Sequence, residues 1–313
     1  MHILITGSAG FIASHLVDHV LGLGHSITGI DNFITGNPNN IAHLKSNPSF
    51  HFIEKDILSF DYSSIKQPID IVFHMASPAS PIQYKKYPIE TLQVNSLGTK
   101  QALDFATDKR ALLVYASTSE VYGDPLVHPQ VEWYWGNVNP NGVRSCYDEA
   151  KRFGEAMCMS YVRTKGTSVR IARIFNTYGP RMGVNDGRVV SNFIVQALKN
   201  EPMTIYGTGE QTRSFCYVSD LVKGLWALAT KEVKIGEVVN LGNPKEMSIL
   251  EIANKIKSVT QSTSSLIKQS IGLDDPLKRK PDISKAKELL DWEPSVSVEE
   301  GLHSTIEYFK TII

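Results

Sequence analysis

Tyr147 and Lys151 stand four residues apart in Cys146-Tyr147-Asp148-Glu149-Ala150-Lys151-Arg152, so on a helix they share one face. A tyrosine that removes a proton from an alcohol must have its pKa drawn down from ~10, at ~1.4 kcal/mol per unit. A neighbouring ammonium and a positively charged cofactor ring can together supply several units. The spacing alone decides nothing, because Tyr62 with Lys66 and Tyr161 with Lys165 repeat it. Context separates the three. Tyr62 lies in a short segment before a strand, without a long helix. Tyr161 is fourteen residues further along the helix of Tyr147, hence ~21 Å away at 1.5 Å per residue. Tyr147 begins its helix about thirty residues after Ser117-Thr118-Ser119-Glu120, which ends an apolar strand. Carboxyl ends of parallel strands are where ligands sit in open α/β sheets. Thr118 can donate to or accept from a substrate hydroxyl or the tyrosinate, and Glu120 beside it is a candidate general acid or base.

A second constellation opens the chain. Thr6-Gly7-Ser8-Ala9-Gly10-Phe11-Ile12-Ala13 follows a strand and begins a helix. Gly7 permits the tight turn, Gly10 lets the backbone approach a pyrophosphate, and the N–H groups of the helix start at Phe11 and Ile12 meet that anion. Ala13 stands where a third glycine is usual, a substitution the dinucleotide fingerprint accepts. Asp31, followed by Asn32, lies ~20 residues on, where a ribose 2′-hydroxyl would be bound. No Arg or Lys follows immediately to receive a 2′-phosphate, which favours NAD over NADP. Asp56, with Ile57 beside it, either approaches the adenine or stands as an exposed loop acid.

These residues require a sheet to position them. Strands are expected at 2–6, 26–31, 50–54, 69–74, 111–116 and 168–173, and helices near 11–23, 88–107 and 147–165. The strands are apolar on both faces, as in a parallel sheet covered by helices. The alternation predicts an α/β, Rossmann-type doubly wound parallel sheet. Beyond residue 175 helices near 189–199, 219–230, 248–260, 283–290 and 298–311 alternate with short strands near 203–206, 214–217 and 237–240. This part reads as a smaller, mostly C-terminal α/β substrate domain. The expected division is interleaved, with 1–175 and 214–240 binding NAD, and 176–213 with 241–313 binding the substrate.

In 313 residues, 32 Lys and Arg balance 32 Asp and Glu, which excludes a wholesale nucleic-acid or membrane-surface binder. No apolar run approaches the ~20 residues needed to span a bilayer. Cys146, Cys158 and Cys216 form no CxxC pair, which fits a reducing compartment, and a cytoplasmic location is expected. His15 and His19 share a helix face but have no third ligand nearby, so no metal is expected. Cys146 has no sequence-near histidine to activate it, and packing is its simpler role. Lys278-Arg279-Lys280 reads from composition as a solvated basic turn.

The whole chain resembles the extended short-chain dehydrogenase/reductase superfamily of nucleotide-sugar enzymes. Thr6-Gly7-x-x-Gly10, the strand-end Ser/Thr and Tyr147-x-x-x-Lys151 are its framework. Longer strings resemble the UDP-glucuronate decarboxylase family within it. They include His74-Met75-Ala76-Ser77-Pro78-Ala79-Ser80-Pro81, Ser117-Thr118-Ser119-Glu120-Val121-Tyr122-Gly123-Asp124-Pro125, Arg173-Ile174-Phe175-Asn176-Thr177-Tyr178-Gly179-Pro180-Arg181-Met182 and Lys278-Arg279-Lys280-Pro281-Asp282.

The resemblance implies a tightly held, recycled NAD and a UDP-sugar substrate, UDP-glucuronate. Tyr147 would take the proton of the C4 hydroxyl. The C4 ketone would then act as electron sink for loss of the C6 carboxylate, giving UDP-xylose, with Glu120 assisting at C5. Related 4,6-dehydratases resemble Ser-Thr-Asp-Glu at the strand end, whereas Ser119 here avoids repelling a substrate carboxylate. Arg279 would contact that carboxylate, and Asn176, Arg188 and Arg213 the diphosphate and sugar. Tyr84, beside the 76–81 loop, is a further candidate contact. Arg188, Arg213 and Arg279 would together make a locally basic pocket. A homodimer through 88–107 and 147–165 is also implied. The rivals are a nucleotide-sugar 4-epimerase, a 4,6-dehydratase and a non-catalytic dinucleotide-binding regulator.

Overall fold

The structure is a computed structural model that describes residues 1–270 and 278–313. Its first half builds β1 (His2–Thr6), α1 (Phe11–Gly22), β2 (Ser26–Asp31), β3 (Phe50–Glu54), β4 (Ile71–His74), α2 (Pro81–Lys86), α3 (Pro88–Gln93), α4 (Thr99–Lys109), β5 (Leu112–Thr118), α5 (Ser145–Lys165) and β6 (Val169–Ile174). The second half adds β7 (Thr177–Tyr178), α6 (Val189–Leu198), β8 (Met203–Tyr206), β9 (Thr212–Ser214), β10 (Cys216–Tyr217), α7 (Val218–Thr230) and β11 (Glu237–Leu241). It ends with β12 (Glu246–Ser248), α8 (Ile249–Thr260), β13 (Leu266–Gln269), β14 (Lys278–Arg279), α9 (Ser284–Leu290) and α10 (Val298–Lys310).

Seven parallel strands form the main sheet in the order β11-β6-β5-β4-β1-β2-β3. The twofold periodicity of β1 explains its two covers. Ile3 and Ile5 pack into a core with Leu16 and Val17 of α1 and Leu221 and Leu225 of α7. Leu4 points the other way, into a core with Ala102 and Phe105 of α4 and Cys158 of α5. Full burial of each such aliphatic side chain is worth ~1.5–3 kcal/mol. The order in which strands are added to the sheet reverses at β1, whose neighbours are β2 and β4, so a crevice opens beyond their carboxyl ends. The expected Rossmann-type doubly wound sheet is the observed fold.

A third core joins α6, α8 and α10, with Phe193, Ile194, Ile252, Ile256, Leu302 and Phe309 at its centre. Helices α8 and α10 each begin with a capping box, Ser248 with Glu251 and Ser297 with Glu300. Among the described residues no helix is long and apolar enough to cross a membrane.

Several expected elements differ in detail. The helix expected over 88–107 is broken by a π turn at Val94–Gly98, between α3 and α4. There the buried Asn95 donates to the Thr91 carbonyl and to Ser77 Oγ. Helix α2 lies outside the expected helices; Pro81 occupies its first turn, where proline is tolerated. The strand expected at 214–217 splits between β9 and β10, which join two different small sheets. β13 pairs with β8, while β14 pairs with β9.

Candidate functional site

The β1–α1 turn is shaped by Gly7, whose φ is +71°. A Cβ there would lie 2.8 Å from Ala76 Cα, so no side chain fits between the turn and the end of β4. Thr6 locks the same junction, its hydroxyl accepting the N–H groups of Met75 and Ala76 at 3.1 and 3.2 Å. Gly10 precedes α1, and no side chain caps the first turn. Phe11 and Ile12 therefore present their N–H groups to the cavity they line.

Asp31, buried at the end of β2, accepts the Ala9 N–H at 2.9 Å and the Phe33 N–H at 2.8 Å. Burial pushes its carboxyl pKa up, against those bonds. It lines a cavity of about 150 Å³ with Asn32, Asp56 and Ile57. Asn32 Nδ2 donates to Asp56 Oδ2 at 2.9 Å, on the wall of this cavity. A glycine cradle closed to a methyl group, an uncapped helix start and a carboxylate at the next strand end fit a dinucleotide.

The adjoining cavity, of about 810 Å³, brings together Tyr84, Thr118, Ser119, Glu120, Tyr147, Lys151, Asn176, Arg188 and Arg213. Tyr147 sits in the first turn of α5, and its ring stacks on Tyr84 at 5.0 Å between centroids and 5° between planes. Lys151 Nζ donates to the Ala116 carbonyl at 2.8 Å and lies 5.9 Å from the Tyr147 ring centroid. Burial lowers the Lys151 pKa to about 7. Burial also pushes the Tyr147 phenol upward, opposed by a hydrogen bond with Thr118 and reinforced by Glu120 and Asp148. The lysine on its own does not reverse this.

The helix that carries both residues is fixed to the sheet by Glu155. Its carboxylate accepts two bonds from Arg173 of β6, at 2.9 and 2.7 Å, and one from Ser117 Oγ at 2.5 Å. His15, considered above for metal, instead donates from Nε2 to the Pro180 carbonyl at 2.9 Å. Cys146 packs with Sγ 3.5 Å from the Tyr84 carbonyl, and burial pushes its thiol pKa up.

The basic side chains are arranged differently from expectation. Arg279 is 1% exposed and does not line the cavity. Strand alternation in β14 turns it inward while Lys278 faces out. Its Nη2 donates to Glu120 Oε2 at 3.2 Å, which ties it to the cavity wall at Glu120. Its Nε and Nη1 have no hydrogen-bond partner among the described residues. Arg188 is held by Asp186, with Nε donating at 2.8 Å. Arg213 lines the cavity and donates to the Thr212 carbonyl at 2.9 Å.

Arg144, absent from the sequence-based expectations, also lines the cavity and pairs with Glu120. Burial opposes the Glu120 charge, but Arg279, Arg144 and Arg213 together hold its carboxyl well below the usual range. Asp148 goes the other way, pushed up by burial and by Glu120. The centre is thus a compensated cluster of guanidiniums and carboxylates, less basic than expected. One signal was available beforehand, since Arg144 and Asp148 are four residues apart at the start of the Tyr147 helix.

Residues 3–242 match the sequence model of the NAD dependent epimerase/dehydratase family. UDP-glucuronic acid decarboxylase 1 of Xenopus tropicalis is 54% identical over 308 residues, covering 98% of this chain and 72% of the relative. UDP-glucuronic acid decarboxylase 1 of Arabidopsis thaliana is 51% identical over 313 residues, covering 100% and 71%. Among solved structures, UDP-glucuronic acid 4-epimerase from Bacillus cereus, in complex with UDP-glucuronic acid and NAD, superposes with a TM-score of 0.92 at 33% identity, covering 100% of both chains. With the dinucleotide cradle, the Tyr147–Lys151 face and this extent of similarity together, the chain belongs to the NAD-dependent epimerase/dehydratase family.

Proposed function

We propose that this chain is an NAD-dependent enzyme that decarboxylates UDP-glucuronate to UDP-xylose, with NAD recycled. The observation that carries the reading is identity of 51–54% over nearly the whole chain to UDP-glucuronic acid decarboxylases, against 33% to the 4-epimerase. The serine at Ser119, buried on the cavity wall beside Glu120, agrees with it, because an aspartate there would repel a substrate carboxylate.

NAD, when bound, would supply a hydride acceptor for C4, would return that hydride to the C4 ketone once CO2 has left and C5 is protonated, and would add a positive ring that offsets the raised proton affinity of Tyr147. Gly7, Gly10, Phe11 and Ile12 would hold its pyrophosphate, Asp31 its ribose, and Asn32, Asp56 and Ile57 the walls around the adenine. Tyr147 takes the C4 hydroxyl proton, with Thr118 hydrogen-bonding the phenol and Lys151 adding positive charge below the ring. The C4 ketone of the sugar lies β to the C6 carboxylate and receives the electron pair as the C5–C6 bond breaks. Glu120 manages the proton that C5 then gains. Ser119 hydrogen-bonds the departing carboxylate, and Asn176, Arg188 and Arg213 hold the diphosphate and sugar. Tyr84 keeps the Tyr147 ring in plane by stacking, and Arg279 acts from behind Glu120.

The interleaved division, 1–175 with 214–240 and 176–213 with 241–313, belongs to the same proposal, supported by the separate core of α6, α8 and α10. So does a homodimer through the α3–α4 segment and α5, where Ile89, Leu92, Leu97 and Phe153 are exposed. The cytoplasmic location is likewise a proposal. NMR of the product formed from UDP-glucuronate tests the reaction. UDP-xylose is expected, whereas a retained carboxylate with inverted C4 would make the protein a 4-epimerase.

A further inference from the structure

Arg144 joins the two halves of the candidate chemistry. Its carbonyl accepts the N–H of Tyr147 at 2.9 Å and that of Asp148 at 3.0 Å, so its backbone starts the helix that presents the phenol. Its side chain reaches back to the end of β5, where Nη2 pairs with Glu120 Oε2. On its other edge Nε faces Asp148 Oδ2 at 3.5 Å. The side chains of Arg144, Glu120 and Asp148 are 11%, 16% and 8% exposed, so water screens these contacts little.

A guanidinium suits this position because its planar fork addresses carboxylates along two edges, which the point charge of a lysine cannot do. Glu120 lies on a short 3₁₀ turn following Thr118, whose hydroxyl accepts its N–H at 3.2 Å. That backbone contact does not fix the direction of the carboxylate. Arg144 from the helix start and Arg279 from β14 do so, converging on the same oxygen, Oε2. Oε1 receives a long bond from Ser119 Oγ, 3.4 Å.

We propose that Arg144 is a positioning residue of the reaction, clamping the Glu120 carboxylate to the helix start that carries Tyr147, with Asp148 as its counter-anchor. This rests on the reading of Glu120 and Tyr147 as catalytic groups. The charged or titratable groups that face Glu120 among the described residues enter the prediction. They are Arg144, Tyr147 and Asp148 at α5, Arg279 from β14, Arg213 from β9 and Tyr84 from α2. Removing the Arg144 charge leaves Arg279 and Arg213 against Glu120 and Asp148, so Glu120 binds a proton more readily.

The test uses the full, NAD-loaded chain with ¹³C-labelled glutamate, the Glu120 carboxyl signal being identified by its loss in Glu120→Gln. In Arg144→Met the titration of that signal moves up by about 1 pH unit or more. The kcat for UDP-glucuronate falls on the order of tenfold or more, while KM stays near that of the unaltered chain. Arg144→Lys, which keeps the charge but not the fork, recovers the titration more fully than kcat. Asp148→Asn, nearly isosteric, lowers kcat without moving the titration upward. It also keeps the question answerable if Arg144→Met does not fold. A raised KM with unchanged kcat would make Arg144 a substrate contact and overturn the proposal. So would a lowered kcat with an unmoved titration, or wild-type kcat in Asp148→Asn. The titration needs no substrate, so it separates failure of this inference from failure of the decarboxylase reading, which the product formed by the unaltered chain decides.

Discussion

Replacing Gly7 with alanine puts the dinucleotide cradle under a direct test. The residue has φ +71°, and the added Cβ would meet Ala76 Cα at 2.8 Å, Ala76 N at 2.9 Å and the Met75 carbonyl carbon at 3.1 Å. These are backbone atoms at the end of β4, so no side-chain rotation relieves the contact. The left-handed backbone costs an L-residue ~1–2 kcal/mol, and overpacking adds ~1–3 kcal/mol, giving a destabilisation of about 2–5 kcal/mol. Whatever strain is relieved by displacing the β1–α1 turn reappears in binding, where ~1.4 kcal/mol is tenfold in Kd. Gly22, the last residue of α1, is the control. It is exposed, a Cβ there meets nothing within 4 Å, and Gly22→Ala should be neutral or stabilising by up to ~1 kcal/mol. Urea unfolding of both variants, with calorimetric titration of NAD, measures the contrast. If Gly7→Ala matches Gly22→Ala in stability and binds NAD as tightly as the unaltered chain, the steric account of the cradle is wrong.

Other perturbations address the elements around it. Glu155→Gln removes the charged partner of the largely buried Arg173, and a loss of about 3–5 kcal/mol in urea unfolding is expected. Pairing Glu155→Leu with Arg173→Met should recover part of that loss, and a single-variant loss below ~1 kcal/mol would class the pair with surface ion pairs. Burial, aided by Lys151, lowers the His74 pKa to about 3, so between pH 6.5 and 3 the unfolded chain binds a proton that the folded chain refuses. Stability from this source is complete above pH 6.5 and falls as the pH drops. His74→Gln should therefore flatten the stability–pH slope between pH 6 and 4 by up to ~1.4 kcal/mol per unit; an unchanged slope would contradict it. Tyr147→Phe should retain NAD binding by titration yet lose at least ~100-fold in kcat, and unaltered turnover would remove Tyr147 from its role.

The parts of the site that were legible in the sequence are those whose chemistry is local. Gly7, Gly10 and Asp31 occupy one βαβ unit, and Tyr147 with Lys151 share one helix face, so spacing alone places them. Thr118, Ser119 and Glu120 follow because the end of an apolar strand was recognisable. Arg279 was harder to place, because the inward turn of β14 depends on its pairing with β9, whose Arg213 lies opposite it in register. Arg144 is not legible in the sequence because a charged residue in a polar stretch reads as solvated, and its partner Glu120 comes from the turn after β5, 24 residues earlier. The π turn left no mark in the 88–107 apolar pattern; it is set by the demands of Asn95 across to Ser77. Neutral overall charge likewise gave no hint that the centre is a cluster of paired opposite charges.

The account is tested most directly by following the carboxyl carbon. With UDP-glucuronate carrying ¹³C at C6 and no added NADH, the unaltered chain should release the label as CO2 in step with UDP-xylose formation. Label that stays in the sugar nucleotide while substrate is consumed would contradict the account.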